Sequence, residues 1–330
     1  MAEIQHWFSG AHEQFKPSSL LEQAVEAERA GFDAIACSDH FQPWWEPGES
    51  GMAWTWLGSV AQATQRVPVG TAVTAPVYRY HPALVAQAWA TLEEMYPGRT
   101  FLGIGSGESL NESPLGMDWP SVGEQIERME EALEIINRLF AGERLDTIGH
   151  FRMKQAYLHT NPGRRPPIYV SAFGEQAAGV AARHGDGLWT LADPEAVPDL
   201  IDAYRSAAED AGRDPGKIIL QAGFSWAEDD DAAFEGAKPF KATMPDEFYT
   251  DDWHDPKAMA KHADEKHSDE EFREQFIIGS DPEAHVQKIR EIEQLGADVV
   301  VLMNNSGADP VRAVKIYGEK VLPALKGARV

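Results

Sequence analysis

The chain has 330 residues, 43% of them hydrophobic, with 53 acidic and 29 basic residues that give a formal charge of −24. This excess of negative charge repels nucleic-acid phosphates and anionic lipids, so neither nucleic acid nor a membrane is expected as a partner. The single cysteine, Cys37, excludes intrachain disulfides, and the absence of a signal pattern or of a roughly 18-residue apolar run predicts a cytoplasmic protein.

Strand and helix patterns alternate along the whole chain. Buried or alternating apolar segments predict strands at residues 4–9, 32–38, 67–73, 100–105, 167–172, 188–191, 218–227 and 298–304. Amphipathic patterns with capping residues predict helices at residues 18–30, 54–65, 82–96, 122–140, 175–184, 194–211, 281–295 and 309–324. Eight strands that alternate with eight helices favour a closed (β/α)8 barrel, the TIM barrel, as a single domain over residues 1–330.

The competing architecture is an open doubly wound sheet. Such a sheet usually carries a glycine-rich nucleotide fingerprint after its first strand, where this chain offers only Gly10. Two segments, near residues 147–165 and 228–273, exceed ordinary connections and are predicted to be insertions at the carboxyl face of the barrel. The second insertion holds much of the acidic excess, which is typical of a solvated surface.

Polar residues follow the second predicted strand. In a barrel, the residues that follow the strands meet on one face, where active sites form. Asp39 and His40 stand there, followed by Trp44. An imidazole beside a carboxylate can transfer protons near neutral pH, and an aromatic ring can exclude water. The alternative is a structural histidine that caps the strand.

Glycines at alternate positions follow the fourth predicted strand: Gly103, Gly105 and Gly107, with Glu108 directly after them. They leave space for a flat ligand or for the close approach of another backbone; alternatively, they only turn the chain out of a crowded barrel. Their spacing matches neither the dinucleotide fingerprint nor the Gly-x-Ser-x-Gly elbow of serine hydrolases.

The fifth predicted strand leads directly into a helix through Phe173, Gly174 and Glu175. The free amides of such a helix N-terminus can bind an anion such as a phosphate. Thr190, at the end of the next strand, can add a hydroxyl group, although a plain strand role is its alternative. No metal is predicted, because the histidines of the acidic insertion lack the i, i+4 pair with a glutamate that is typical of a helical zinc site.

Four motifs occur in this chain in the same order as in a known family. They are Ser38-Asp39-His40-Phe41-Gln42-Pro43-Trp44, Tyr78-Arg79-Tyr80-His81-Pro82-Ala83, Tyr96-Pro97-Gly98-Arg99 and Gly105-Ser106-Gly107-Glu108-Ser109-Leu110-Asn111-Glu112. Together they resemble the luciferase-like flavin and deazaflavin barrels, in particular the branch of the F420-dependent glucose-6-phosphate dehydrogenases and F420-dependent secondary alcohol dehydrogenases. The resemblance implies a (β/α)8 barrel, usually a homodimer, that binds coenzyme F420, an 8-hydroxy-5-deazaflavin, across the carboxyl ends of the strands.

The resemblance also assigns roles to single residues. It implies a non-prolyl cis peptide bond between Ala72 and Val73, behind the deazaflavin ring. The residues implied in cofactor binding are Asp39, Ala72, Val73, Gly107, Glu108, Asn111, Phe173, Gly174, Glu175 and Thr190, the last four of them at the cofactor's phosphate.

The implied reaction is hydride transfer from an alcohol carbon to C5 of the deazaflavin. His40, oriented by Asp39, removes the hydroxyl proton, and Glu108 gives or shares a proton at the N1 side of the ring. Trp44 packs on the substrate and excludes water. Lys261 matches a basic position that binds the substrate in the sugar-phosphate enzymes.

Departures from the sugar-phosphate pattern concern the substrate. The basic residues that bind its phosphate have no counterpart in residues 190–193 or 274–277, and Asp193 adds a negative charge. The expected substrate is therefore a secondary or other non-phosphorylated alcohol, with Trp45, Trp56, Phe224 and Trp226 as either pocket or packing residues. Three alternatives stay open: a sugar-6-phosphate dehydrogenase with a rearranged phosphate clamp, a flavin mononucleotide (FMN) monooxygenase, and a barrel that binds F420 without turnover.

Overall fold

The computed structural model describes residues 3–327. Met1 and Ala2, which belong to the N-terminal stretch inspected for a signal pattern, and the last three residues of the predicted domain lie outside the described residues. The strands are β1 (Gln5–Gly10), β2 (Ile35–Cys37), β3 (Val69–Thr71), β4 (Leu102–Ile104), β5 (Leu145–Ile148), β6 (Arg152–Ala156), β7 (Ile168–Ser171), β8 (Gly187–Leu191), β9 (Lys217–Trp226), β10 (Ile277–Gly279) and β11 (Val299–Asn304).

Helices connect and cover these strands. They are α1 (Pro17–Ala30), α2 (Ala53–Ala63), α3 (Pro82–Met95), α4 (Ser109–Glu112), α5 (Val122–Phe140), α6 (Glu175–His184), α7 (Val197–Asp210), α8 (Asp230–Ala237), α9 (Pro256–Lys266), α10 (Asp269–Gln275), α11 (Pro282–Gln294), α12 (Pro310–Ile316) and α13 (Leu322–Gly327). Short 3-10 helices span Ser113–Leu115, Lys238–Thr243 and Asp246–Tyr249, and a π-helix spans Tyr317–Val321. Helix ends follow local chemistry: Gly31 ends α1 in the left-handed region at φ 95°, and the Ser121 side chain caps α5.

Within the described residues, eight parallel strands close into a barrel. Hydrogen bonds run in the order β3-β2-β1-β11-β9-β8-β7-β4, and bridges between Val69 and Thr100 and between Thr74 and Ile104 join the two ends. Every predicted strand and helix has a counterpart in this arrangement. The predicted TIM barrel is therefore confirmed, and the open doubly wound sheet is excluded because its edge strands would stay apart.

The barrel interior is filled by aromatic and aliphatic side chains. The ring centroids of Trp7 and Phe101 lie 4.8 Å apart, and Tyr169 and Trp189 complete an aromatic layer. Ser9 and Ser171 stand two residues beyond Trp7 and Tyr169, and Ser38 stands two residues beyond Ala36, which packs in the same interior layer. Since side chains alternate along a strand with a period of two, these small residues also face inward. They leave room at the carboxyl end of the barrel.

Both predicted insertions contain regular structure that the sequence patterns did not predict. The first holds the antiparallel hairpin of β5 and β6, and the second holds α8, α9 and α10. A local signal was available for α10, where Ser268 and Glu271 form a capping box. The other elements are short, so their apolar periodicity is weak. None of the described helices is both long and apolar enough to span a membrane.

Candidate active site

The loops after β1, β2, β3 and β4 meet at the carboxyl end of the barrel. They carry Glu13, His40, Arg79 and the segment from Glu108 to Glu112, whose last four residues form α4. Most of these polar side chains are buried. Charged groups at this depth require partners, and the contacts among these four loops supply them.

His40 stands between the loop after β1 and α4. Its Nε2 lies 3.4 Å from Glu13 Oε1, and its Nδ1 lies 3.3 Å from the amide nitrogen of Asn111. Because that amide nitrogen can only donate, the partners assign Nδ1 as the unprotonated nitrogen and Nε2 as the one that carries hydrogen. Ser38 donates a 2.6 Å hydrogen bond to the other oxygen of Glu13 and holds this carboxylate in place.

The prediction that Asp39 orients His40 is wrong. Thr74 donates a 2.7 Å hydrogen bond to one oxygen of Asp39, whereas Tyr80 and Arg79 contact the other oxygen at 3.2 and 3.3 Å. Neighbouring side chains leave an extended chain in different directions. Asp39 therefore faces the loop after β3, and the carboxylate beside the imidazole of His40 is that of Glu13.

Asn111 connects His40 with Glu108. Its amide nitrogen donates to Glu108 Oε2 at 3.0 Å in addition to its contact with the imidazole, and its oxygen accepts from the backbone N–H of Phe41 at 2.7 Å. Glu108 is the N-cap residue of α4, the helix that carries Asn111. The two predicted proton-transfer groups therefore meet at one amide, as the barrel topology led us to expect.

Arg79 forms buried ion pairs with two carboxylates. Its guanidinium lies 3.3 Å from Asp39 Oδ1 and 3.1 Å from Glu112 Oε1, and its side chain is only 6% exposed. The guanidinium also donates to the backbone oxygen of Asp39 at 2.5 Å, and the backbone N–H of Arg79 donates to Glu112 at 2.8 Å. Burial raises the pKa of Glu112 to about 7; Arg79 opposes this rise, while Glu108 and Asp39 add to it. One guanidinium is shared between two carboxylates, so it offsets only part of the effect of burial on Glu112.

The peptide bond between Ala72 and Val73 is cis, as the resemblance implied. Val73 packs against the chain that leaves β4: a Cβ at Gly105 would lie 2.6 Å from a methyl group of Val73. A Cβ at Gly103 would lie 2.1 Å from a backbone oxygen of β3. These two glycines therefore allow the close approach of the neighbouring strand. Glycine is required at position 107 for a different reason: its φ of +85° is a left-handed conformation that residues with a side chain disfavour.

An aromatic row covers the His40 side of the site. The centroid of the Trp44 ring lies 5.5 Å from that of His40 and 5.4 Å from that of Tyr249. Phe173, which is 57% exposed, lies 5.5 Å from Tyr249 on its other side. The row gives the site one apolar wall.

Tyr249 belongs to the second insertion and lies close to charged groups. Burial raises the pKa of Tyr249 well above its usual range, and the negative charges of Glu108 and Glu13 raise it further. Its hydroxyl donates to a backbone oxygen within the insertion at 2.9 Å, so only the ring is presented to Trp44. Ser109 of α4 donates to the backbone oxygen of Trp253 at 2.7 Å and anchors this part of the insertion.

The predicted phosphate region lies at the N-terminus of α6. Gly174 is the N-cap residue, and no side chain caps this helix. The space around the Cα atom of Gly174 is open, so an anion can reach the free amides of the first turn. Glu175 is exposed on that turn, and Thr190 is buried at the end of the neighbouring strand β8. The role of these residues toward a cofactor stays a prediction.

Lys261 is not brought to this cluster. Its side chain is 77% exposed on α9 and pairs with Glu265 at 3.7 Å, so its role toward a substrate stays a prediction. The aromatic residues weighed as pocket or packing residues pack within the protein: Trp45 on Phe240, Trp56 on His12, Phe224 on Tyr317, and Trp226 on the backbone oxygen of Ser280.

The sequence patterns missed several contributors to the site, among them Glu13, Arg79 and Tyr249. Glu13 follows β1 as His40 follows β2, so its position after a strand was an available signal. Arg79 lies within one of the recognised motifs, but nothing local indicates that it is buried between two carboxylates. Tyr249 lies in the acidic insertion and reaches the site only through contacts that are distant in sequence.

Comparisons with known proteins point in the same direction as the motifs. The sequence profile of the family described as luciferase-like monooxygenase matches residues 1–299. An F420-dependent glucose-6-phosphate dehydrogenase of Microbacterium testaceum is 37% identical over 98% of this chain and 98% of that protein. An F420-dependent hydroxymycolic acid dehydrogenase of Mycobacterium tuberculosis is 37% identical over 96% of this chain and 87% of that protein. The solved structure of an F420-dependent secondary alcohol dehydrogenase in complex with an F420-acetone adduct superposes with a TM-score of 0.94 and 32% identity, over 98% of this chain and 99% of that chain.

Proposed function

The chain belongs to the luciferase-like monooxygenase family, as its four motifs indicated, and from that premise we propose an F420-dependent dehydrogenase of a non-phosphorylated alcohol. It is an F420-dependent oxidoreductase that acts on CH–OH groups, like the dehydrogenases to which it is similar over nearly its whole length. The charge of the site supports a non-phosphorylated alcohol as the substrate.

The residues present fit coenzyme F420. Small inward side chains at the barrel mouth leave room for a planar ring. Glu108 and Asn111 offer hydrogen-bonding groups for the polar edge of such a ring, and the open N-terminus of α6 at Gly174 suits the cofactor's phosphate. When bound, F420 supplies a deazaflavin whose C5 accepts a hydride from the alcohol carbon.

His40 is the group that takes the hydroxyl proton of the alcohol. Its Nδ1 carries a lone pair, and the 3.3 Å contact with Asn111 is longer than the usual distance of about 2.9 Å. A substrate hydroxyl can therefore replace Asn111 at Nδ1, and Asn111 keeps its bonds to Glu108 and Phe41. Glu13, 3.4 Å from Nε2, stabilises the positive charge that the imidazole gains.

Glu108 and the aromatic row complete the proposed arrangement. Oε2 of Glu108 accepts a hydrogen bond from Asn111, which orients the carboxyl group. Oε1 would then give or share a proton at the N1 side of the deazaflavin ring. Trp44 and Tyr249 form an apolar wall for the substrate. By excluding water, they strengthen the electrostatic interactions of the neighbouring carboxylates.

The charge of the site is the observation that carries the choice of substrate. In the part of the chain that the structure describes, the network linked to His40 holds four carboxylates and one guanidinium. That guanidinium, of Arg79, is already shared between Asp39 and Glu112. A phosphate dianion would meet a net negative charge here, whereas an uncharged alcohol is not repelled.

Glucose 6-phosphate is the second candidate substrate, because a relative that is 37% identical carries that name. This reaction requires a cation that reaches the site from elsewhere. Lys261 is held by Glu265 on the surface, and the guanidinium of Arg273 lies 3.6 Å from the ring centroid of Phe234. A cation such as one of these would have to move when the substrate binds.

Reduction of F420 separates the two candidates. Purified protein is incubated with oxidised F420 and with isopropanol, glucose or glucose 6-phosphate, and the loss of the visible absorbance of the deazaflavin is followed. We expect bleaching with isopropanol or a larger secondary alcohol and much slower bleaching with glucose 6-phosphate. Faster bleaching with glucose 6-phosphate than with the two uncharged compounds would overturn the choice of substrate.

Two further controls address the remaining alternatives. Oxygen uptake with reduced FMN would favour the monooxygenase, and tight binding of F420 without bleaching across a panel of alcohols would favour a barrel without turnover. The homodimer that the resemblance implied stays a prediction, which analytical ultracentrifugation tests.

A further inference from the structure

Arg79 joins the loops on two sides of the active site. Its partners stand next to the residues proposed for proton transfer: Asp39 directly precedes His40, and Glu112 directly follows Asn111. The guanidinium contacts a carboxylate oxygen and the backbone oxygen of Asp39, and it contacts Glu112 from the other side. A movement of either loop therefore breaks at least one buried, charge-assisted contact.

The third loop at this point is the one that carries Arg79 itself. Thr74, which follows the cis peptide bond, donates to Asp39 at 2.7 Å, and Tyr80 donates to the other oxygen of Asp39 at 3.2 Å. The guanidinium also lies 4.6 Å from the ring centroid of Tyr80. The loop that carries Arg79 therefore contacts Asp39 as well, and the Tyr80 ring packs on the guanidinium.

We propose that Arg79 is a positioning residue that sets the separation of His40 and Glu108 by clamping the loop after β2 to α4. The role rests on the proposed function, because these two residues are the proton-transfer groups of that function. Arg79 acts through Asp39 and Glu112. A lysine at this position keeps the charge, but a single ammonium group cannot bond both carboxylates and a backbone oxygen in one plane.

The first test is amide hydrogen exchange and needs neither F420 nor substrate. The backbone N–H of Phe41 donates to Asn111 across the two loops that Arg79 clamps, so its exchange reports their separation. In Arg79→Lys we expect exchange at Phe41 to be at least tenfold faster than in the wild type. Arg99→Lys is the matched control, because Arg99 bonds the backbone oxygens of Ala61, Thr64 and Val67 away from the site. We expect this control to leave Phe41 unchanged.

The second test is the rate of F420 reduction. In Arg79→Lys we expect kcat to fall at least tenfold, with less than a threefold change in the KM of the alcohol and in the Kd of F420. In a His40→Ala background the same substitution should cause no further fall, because Arg79 acts through the position of His40. A purely structural arginine would instead multiply its effect with that of His40→Ala.

Each outcome decides the proposal. Unchanged exchange at Phe41, an unchanged kcat, or a full multiplicative effect in the double variant would overturn it. If Arg79→Lys does not fold, Glu112→Gln removes the ion pair with Arg79 on the α4 side and is judged by the same criteria. A wild-type protein that reduces no F420 would refute the proposed function, whereas the exchange experiment would still decide whether Arg79 joins the two loops.

Discussion

Replacement of Glu112 by glutamine tests the electrostatics of the buried network. Burial raises the pKa of Glu112 from 4.5 to about 7, which means that the ionised carboxylate is less stable in the folded protein than in the unfolded chain. One pKa unit corresponds to about 1.4 kcal/mol, so ionisation of Glu112 costs the folded state about 3 kcal/mol. Because the pKa is raised, the contribution of protonated Glu112 to the free energy of unfolding is fully present below about pH 4.5. It is lost as the pH rises through about 7.

Glu112→Gln has the shape of the protonated acid and cannot ionise. By the same linkage we expect the variant to be more stable by less than about 1 kcal/mol at pH 5 and by up to about 3 kcal/mol at pH 8. Urea unfolding of both proteins at pH 5, 6, 7 and 8 measures this difference, since all other titrating groups contribute equally to both. Glu134→Gln, at an exposed ion pair with Arg138, is the control and should give a small difference at every pH.

Two results would refute this reasoning. One is a difference between Glu112→Gln and the wild type that does not change with pH. The other is a variant that becomes less stable than the wild type as the pH rises, which would mean that the ion pair with Arg79 outweighs the burial of the carboxylate.

Substitutions of Glu13, Tyr249 and His285 probe other parts of the protein. Glu13→Gln keeps the shape of the side chain but loses the charge that stabilises protonated His40. The kcat for F420 reduction should therefore fall about 100-fold, while the Kd of F420 stays the same. An unchanged kcat would exclude this role of Glu13. Tyr249→Phe should leave the rates unchanged, because the hydroxyl bonds a backbone oxygen of the insertion. Tyr249→Ala should raise kcat/KM for bulky alcohols, relative to isopropanol, about tenfold. The same substrate preference in both variants would contradict this prediction. Burial lowers the pKa of His285 to about 4, so the free energy of unfolding should fall as the pH drops from about 6.5 toward 4. In urea unfolding, His285→Gln should lose less stability over this pH range than the wild type. The same dependence on pH in both proteins would disprove this prediction.

The barrel and its strand-end residues could be predicted because they depend on periodicity and topology. Apolar runs bounded by turn residues locate every barrel strand, and the rule that strand ends converge predicts that His40 and Glu108 lie on the same face of the barrel. Asn111, which the resemblance placed at the cofactor, is the amide that joins them. Residues whose role follows from the position of their own strand can therefore be predicted from the sequence.

The pairing of individual side chains could not be predicted in the same way. Asp39 is adjacent to His40 in sequence, yet it faces Arg79, while the more distant Glu13 faces the imidazole. Adjacency along the chain does not determine the direction of a side chain where regular structure ends. Tyr249 shows a second limit, because a residue in a long insertion reaches the site only through tertiary contacts.

The most direct test of the convergence of His40 and Glu108 on one redox site is the rate of F420 bleaching by a secondary alcohol at saturating concentrations. We predict that the wild type bleaches F420. His40→Ala should bind F420 with similar affinity but bleach it at least about 100-fold more slowly. Equal rates for the two proteins would contradict the proposed site, and so would a His40→Ala variant that loses affinity for F420 while it keeps its kcat.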